Sequence, residues 1–259
     1  FRQYAHVRCA DMDDFNKGKI RLGEVDYLIH CGFARPHFTQ QQIAESLSFT
    51  AHLLSMASLN QVPAIINISS QAVYGTTQSP LWKETNPVMP ETVYAQAKYA
   101  TELIAQNTHI HNKTTFATSL RLASLTGGQP GLIPIDIIAK MVQNALKNEP
   151  ITIRGGAQLL ERIDVRDAAN AIVELLQVDY RQWKKVYNVG NEIFSILELA
   201  KRIQDIARIH YQLDVQIEQI PENNTLRFGM DSSALQQDTQ WKPQYNLDQI
   251  ILSLFKYLK

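Results

Sequence analysis

Tyr94 and Lys98 stand four residues apart in the run Tyr94-Ala95-Gln96-Ala97-Lys98. On a helix, that spacing puts both side chains on one face. A lysine cation held there favours the ionised form of the phenol. A tyrosine working as acid or base near neutral pH needs such help. The pair alone is a weak signal, because a surface pair has the same spacing. Its surroundings sharpen it. The apolar run at 64–68 reads as a strand, and it delivers Ser69-Ser70-Gln71-Ala72-Val73-Tyr74-Gly75 at its C-terminal end. Open α/β sheets bind ligands at that edge. A serine there can hold a substrate hydroxyl or carbonyl while Tyr94 exchanges its proton. Alcohol–ketone interconversion of this kind needs no metal when a nicotinamide carries the hydride.

The elements that must position these groups alternate along the chain. Strand runs are expected at 5–10, 25–31, 64–68 and 115–122, with helical spacing at 40–59 and 91–106. Buried-type strands alternating with helices predict a parallel α/β sheet. After Gly127 the character changes, with Gly128, Pro130, Gly131 and Pro134 marking a loop that forms a substrate-side wall. Further helices are expected at 135–146, 165–176, 195–207 and 247–258, and strands at 151–153, 186–189 and 212–217. Ser195 with Glu198 reads as a capping box.

Composition narrows the class. The 259 residues carry 25 basic and 25 acidic side chains, which gives no field for nucleic acid or anionic lipid. Cys9 and Cys31 cannot build a disulfide framework. No apolar run reaches the roughly 18 residues of a membrane span. Cytoplasmic residence is the expectation. His109 and His111 lack local partners for a metal, so no metal site is expected. His30, inside an apolar run, reads as a satisfied core histidine, and Cys31 as a small wall residue.

In these motifs the chain resembles the extended short-chain dehydrogenase/reductase superfamily, specifically its NAD-dependent epimerase/dehydratase family. The matching pieces occur in order: the acidic turn 11–14, the segment 25–34, the serine motif 69–75, the Tyr94/Lys98 pair with Glu102, the segment 121–127, the stretch 164–172, Tyr187-Asn188-Val189-Gly190 and Trp241-Lys242-Pro243. The resemblance implies a Rossmann-like, doubly wound parallel sheet with a smaller C-terminal substrate lobe. The dinucleotide-binding part would span 1–127 and the lobe 128–259, with a segment near 186–190 returning to the first part. Ser70, Tyr94 and Lys98 would be catalytic. NAD would meet Asp11, Met12, Cys31, Gly32, Phe33, Ser69, Tyr94, Lys98 and Leu122. The substrate would meet Ser70, Gln71, Ser124, Arg154 and Arg162. The implied reaction is epimerisation of a nucleotide-diphosphate sugar through a transient keto-sugar. A nucleotide-sugar reductase or dehydrogenase and a non-catalytic sugar-nucleotide binder are the other two readings. A homodimer through the Tyr94 helix and its neighbour is implied as well.

Departures from the family pattern refine this picture. The glycine-rich turn that cradles the cofactor pyrophosphate does not occur in the ten residues before Asp11. The sheet is therefore expected to be incomplete on its N-terminal side. A truncated chain, elements supplied by a second chain, and a divergent protein without ordinary cofactor binding are the three readings of that gap. Family dehydratases carry an Asp-Glu pair where this chain has Gln71 and Ala72, which disfavours water elimination. Ser46 and Ser124 replace Asn residues that face cofactor and substrate. Leu160 replaces an Arg that reaches the diphosphate, and Arg162 and Arg154 are placed to compensate. Arg162, Asp164, Arg166 and Asp167 otherwise form an inter-lobe network.

Overall fold

The structure is a computed structural model and describes residues 12–76, 79–111, 113–129, 131, 133, 135–223 and 226–259. The expected strand at 5–10 and Asp11 lie outside the described residues. So do Pro130, Leu132 and Pro134 of the expected wall.

A short helix, α1 (Met12–Asn16), precedes the first described strand, β1 (Tyr27–His30). The acidic turn expected at 11–14 therefore runs into a helix, where Asp13 and Asp14 pair with Lys17 and Lys19. Then follow α2 (Gln40–Leu59), β2 (Ala64–Ser70), α3 (Val93–His111) and β3 (Phe116–Leu122). Short β4 (Ser124–Thr126), α4 (Ile137–Leu146), β5 (Ile151–Arg154), β6 (Leu159–Asp164) and α5 (Val165–Leu176) continue the chain. The rest comprises β7 (Val186–Val189), β8 (Glu192–Ser195), α6 (Ile196–Tyr211), β9 (Ile217–Ile220), α7 (Ser233–Asp238) and α8 (Leu247–Leu258).

Four parallel strands form the main sheet in the order β1-β2-β3-β7. Period-two alternation sends neighbouring side chains of β2 to opposite faces. Ile65 packs with Leu54 and Ala57 of α2 and Ala105 of α3. Ile66 packs with Ala168, Ala171 and Leu175 of α5. Helices thus cover both faces, as a parallel sheet requires. Each fully buried Ile or Leu here contributes roughly 1.5–3 kcal/mol.

A separate apolar cluster joins α4, α6 and α8 with Ile151, Leu160 and Phe194. Two small sheets serve it: β4-β6-β8, and the parallel pair β5 and β9. The strand expected at 212–217 forms later, at Ile217–Ile220. α6 overruns its expected end by one turn, closes on left-handed Gln212, and draws the Val215 carbonyl onto the Gln204 amide at 2.6 Å. The expected capping box is half made. Ser195 Oγ accepts from the Glu198 N–H at 3.1 Å, while the Glu198 carboxylate turns to Arg202 at 2.7 Å.

Candidate active site at the C-terminal edge of the sheet

All four parallel strands end on one side of the sheet. Ser70, Leu122 and Val189 stand at one level across β2, β3 and β7. Beyond Ser70 the chain makes one 3-10 turn, Gln71–Tyr74, in which Ser70 Oγ accepts from the Ala72 N–H at 3.2 Å. That contact uses an acceptor lone pair of Ser70 and leaves its O–H free to donate. Gly75 closes the turn with φ +77° against the Met89 carbonyl, a place with no room for a Cβ.

Helix α3 brings Tyr94 and Lys98 to this edge, one turn apart on one face. The Tyr94 hydroxyl lies beside Ser70. Burial pushes the phenol above its ordinary range, and the nearby Ser70 hydroxyl draws it part of the way back. Lys98 does not act as the spacing predicts. Its ammonium donates to the Ile68 carbonyl at 2.7 Å and lies 4.2 Å from the centre of the Phe33 ring. Burial lowers its pKa to about 8, with the charges of Cys31 and Glu102 opposing that shift. Phe33 also meets Tyr94 edge-on at 6.2 Å, so one aromatic ring links phenol and cation. Cys31 and Gly32 continue exposed beyond β1.

Beneath the serine turn lies a buried polar network. Glu102 on α3 accepts from Arg121 Nε at 3.0 Å, from Arg121 Nη2 at 2.7 Å and from Ser69 Oγ at 2.5 Å. Arg121 Nη1 donates to the Tyr74 hydroxyl at 2.7 Å, which donates to Asn188 Oδ1 at 2.8 Å. Ser69, expected at the cofactor, therefore spends its hydroxyl inward. Tyr74 is fully buried. His30 behaves as a core histidine. Its Nε2 lies 2.8 Å from Thr50 Oγ1, and burial, with the charge of Lys98, lowers it to about 4. Ser46 holds the loop after β1 by accepting from the Ala34 N–H at 3.0 Å.

The expected substrate residues divide. Gln71 is buried and touches Ser124. Ser124 pairs with Arg162 across β4 and β6, which puts their side chains on one face. Arg162 donates through Nη1 to the Glu161 carbonyl at 2.9 Å, and its Nε has no hydrogen-bond partner. Arg154 ends β5 exposed, and its guanidinium makes no hydrogen bond or ion pair among the described residues. Asp164, Arg166 and Asp167 do form a network. Arg166 binds Asp164 at 2.7 and 2.8 Å, and Asp167 accepts from the Gln244 and Tyr245 N–H groups. Leu122 lies buried at the strand end, and Met12 opens α1. Sequence reasoning missed Glu161, fully buried on β6. The signal available was an acid within the apolar run Leu159-Leu160-Glu161-Arg162-Ile163. Among the described residues, no group of His, Cys, Asp and Glu could hold a metal, and no helix is long and apolar enough to cross a membrane.

The profile of the NAD dependent epimerase/dehydratase family matches residues 6–190, which include the four-stranded sheet and the Ser70–Tyr94–Lys98 cluster. The chain belongs to that family. As an epimerase/dehydratase family member it falls within an enzyme family. Its relatives include a dTDP-glucose 4,6-dehydratase from Streptomyces niveus, 25% identical over 252 residues that cover 94% of this chain and 72% of the relative. Among solved structures, a UDP-glucuronic acid 4-epimerase from Bacillus cereus in complex with NAD superposes with TM-score 0.80 at 20% identity, over 96% of this chain and 77% of that one. A UDP-Glc/GlcNAc 4-epimerase from Campylobacter jejuni gives TM-score 0.80 at 21% identity, over 96% and 82%. These likenesses bear out the Rossmann-like parallel sheet.

Proposed function

We propose that this family member is an NAD-dependent epimerase acting on a nucleotide-diphosphate sugar. The observation that carries the reading is Tyr94 beside Ser70 at the C-terminal edge of the sheet, with Lys98 one turn away on the same helix. The donor set fits the nicotinamide-ribose half of the cofactor. Lys98 keeps N–H donors beyond its bond to Ile68, and Cys31, Gly32 and Phe33 lie beside it. Bound NAD would take hydride from a sugar carbon and return it.

Ser70 holds the reacting sugar oxygen through its free O–H. Tyr94 accepts the hydroxyl proton as the keto-sugar forms and gives it back on reduction. Lys98 brings positive charge to this edge, which favours the phenolate once a ligand reshapes the contact with Phe33. Return of hydride to the opposite face of a turned keto-sugar inverts one carbon. Ser124 and the unpartnered Nε of Arg162 provide the sugar and diphosphate contacts, with Arg154 reaching in from β5. Gln71 supports an epimerase over a dehydratase, because its neutral amide is engaged by Ser124 instead of offering a second acid for water loss. A homodimer on α2 and α3 belongs to the same proposal, with Leu59 and Leu103 exposed on those helices; light scattering of the intact protein checks it.

The test is turnover of UDP-, dTDP- and GDP-hexoses by the intact native protein with NAD, followed by NMR of the sugar. An epimer formed without net NADH change supports the proposal. Tyr94→Phe should lower turnover by about 10²–10⁴-fold. One-for-one consumption of NADH would replace epimerase with reductase. Sugar binding without turnover would leave a binding protein.

A further inference from the structure

Glu161 is fully buried on β6, and no cation pairs with its carboxylate among the described residues. Arg162, its neighbour, addresses the backbone carbonyl of Glu161 instead. What faces the carboxylate comes from three other segments. The Met230 N–H donates to Oε2 at 3.1 Å. The Asn191 N–H, in the turn after β7, also lies close to the carboxylate. The third is the side-chain amide of Gln71, directly after Ser70. Oε1 has no hydrogen-bond partner and lies against Gly190, where an added Cβ would collide with it.

The Gln71 amide can face its neighbours in two ways. With Nε2 on Ser124 Oγ at 3.2 Å, its oxygen confronts the Glu161 carboxylate and its nitrogen confronts the Ser124 N–H. Turned over, its oxygen accepts from Ser124 N and Oγ, each at 3.2 Å, and its nitrogen donates to Glu161 Oε2 at 3.2 Å. Only the second orientation pairs donors with acceptors throughout, so hydrogen-bond chemistry selects it. One buried amide then spans the gap between the serine turn, the strand carrying Ser124, and β6.

We propose that Glu161 is a positioning residue: through the Gln71 amide it fixes the turn that carries Ser70 against β4, and so holds Ser70 in place beside Tyr94. The inference rests on the reading of Ser70 and Tyr94 as the working pair. Burial raises the Glu161 carboxyl to about 8, with the Met230 and Asn191 N–H groups and the charge of Arg162 opposing that rise. The Gln71 amide and the Ser124 hydroxyl that face it are neutral. A protonated carboxyl still offers its carbonyl oxygen to Gln71, so glutamine should replace Glu161 without loss.

The experiment uses the full chain labelled with carbon-13 at the tyrosine ring carbon bearing the hydroxyl, at neutral pH. Tyr94→Phe identifies the Tyr94 signal by its disappearance. Ser70→Ala should shift that signal. Gln71→Met and Glu161→Met should shift it the same way by a comparable amount, and Glu161→Gln should leave it in place. If Ser70→Ala moves the signal while both methionine variants leave it unmoved, Glu161 is a structural strut and the inference is wrong although the working pair stands. If Ser70→Ala is silent, the pair itself fails and takes the inference with it. Should Glu161→Met not fold, Gln71→Met decides alone, because it keeps the Met230 and Asn191 contacts. A purely structural role lowers the melting midpoint without touching the Tyr94 signal.

Discussion

Two fully buried glutamates flank the serine turn, and the fold treats them in opposite ways. Glu102 meets a bidentate guanidinium at 2.7 and 3.0 Å and the Ser69 hydroxyl. Burial pulls Arg121 down, but the hydrogen bonds and charge of Glu102 outweigh it and hold the guanidinium above its ordinary value. Glu161 has no ion-pair partner among the described residues, and burial raises its carboxyl to about 8. Charge inside protein is tolerated when every lone pair is answered, and is otherwise removed by protonation. One end of the serine motif, Ser69, is therefore tied to a finished ion pair. Two residues on, Gln71 is tied to an acid that titrates.

Breaking the finished pair should have the largest effect. Arg121→Leu strands Glu102 without its cation and should lower stability by about 3–5 kcal/mol in urea unfolding. The titrating acid should show itself through pH. Its folded value, about 8, lies above the ordinary 4.5. Its contribution is thus fully present below pH 4.5 and is lost as pH rises through 8, a decline on the order of 4–5 kcal/mol. Glu161→Gln should flatten that part of the stability profile; an unchanged profile would show that Glu161 ionises normally.

Lys98 sharpens the contrast from the basic side. Its folded value of about 8 lies below the ordinary 10.5, so the unfolded chain binds more protons between those values. Wild-type stability should rise over that window, and Lys98→Met should be more stable at pH 7 by up to about 3 kcal/mol while losing turnover. A destabilised Lys98→Met would mean that the Ile68 contact outweighs desolvation. Ser69→Ala removes one of several bonds to Glu102 and should lower stability by only about 1 kcal/mol.

Much of this was readable from the sequence where a local rule governs. The helices at 40–59, 165–176 and 247–258 form at the expected residues, because apolar spacing and the caps Thr39, Asp164 and Asn246 agree. β4, β6 and β8 were not readable. They are short, carry polar residues, and exist through partners far along the chain, such as Leu160 opposite Phe194. The site divides similarly. Helical spacing correctly puts Tyr94 and Lys98 on one face. It cannot show that the ammonium turns to a carbonyl at 2.7 Å and to Phe33. Glu161 escaped notice because its partners, Gln71, Asn191 and Met230, come from three distant segments.

The return of β7 to the outer side of β3 has a practical result. Cutting the chain after residue 127 would separate two hydrogen-bonded neighbours, leaving the first fragment with a sticky flank and the second with a strand that has no sheet. Neither fragment should be well behaved when expressed alone, whereas both made together in one cell should find each other and reassemble.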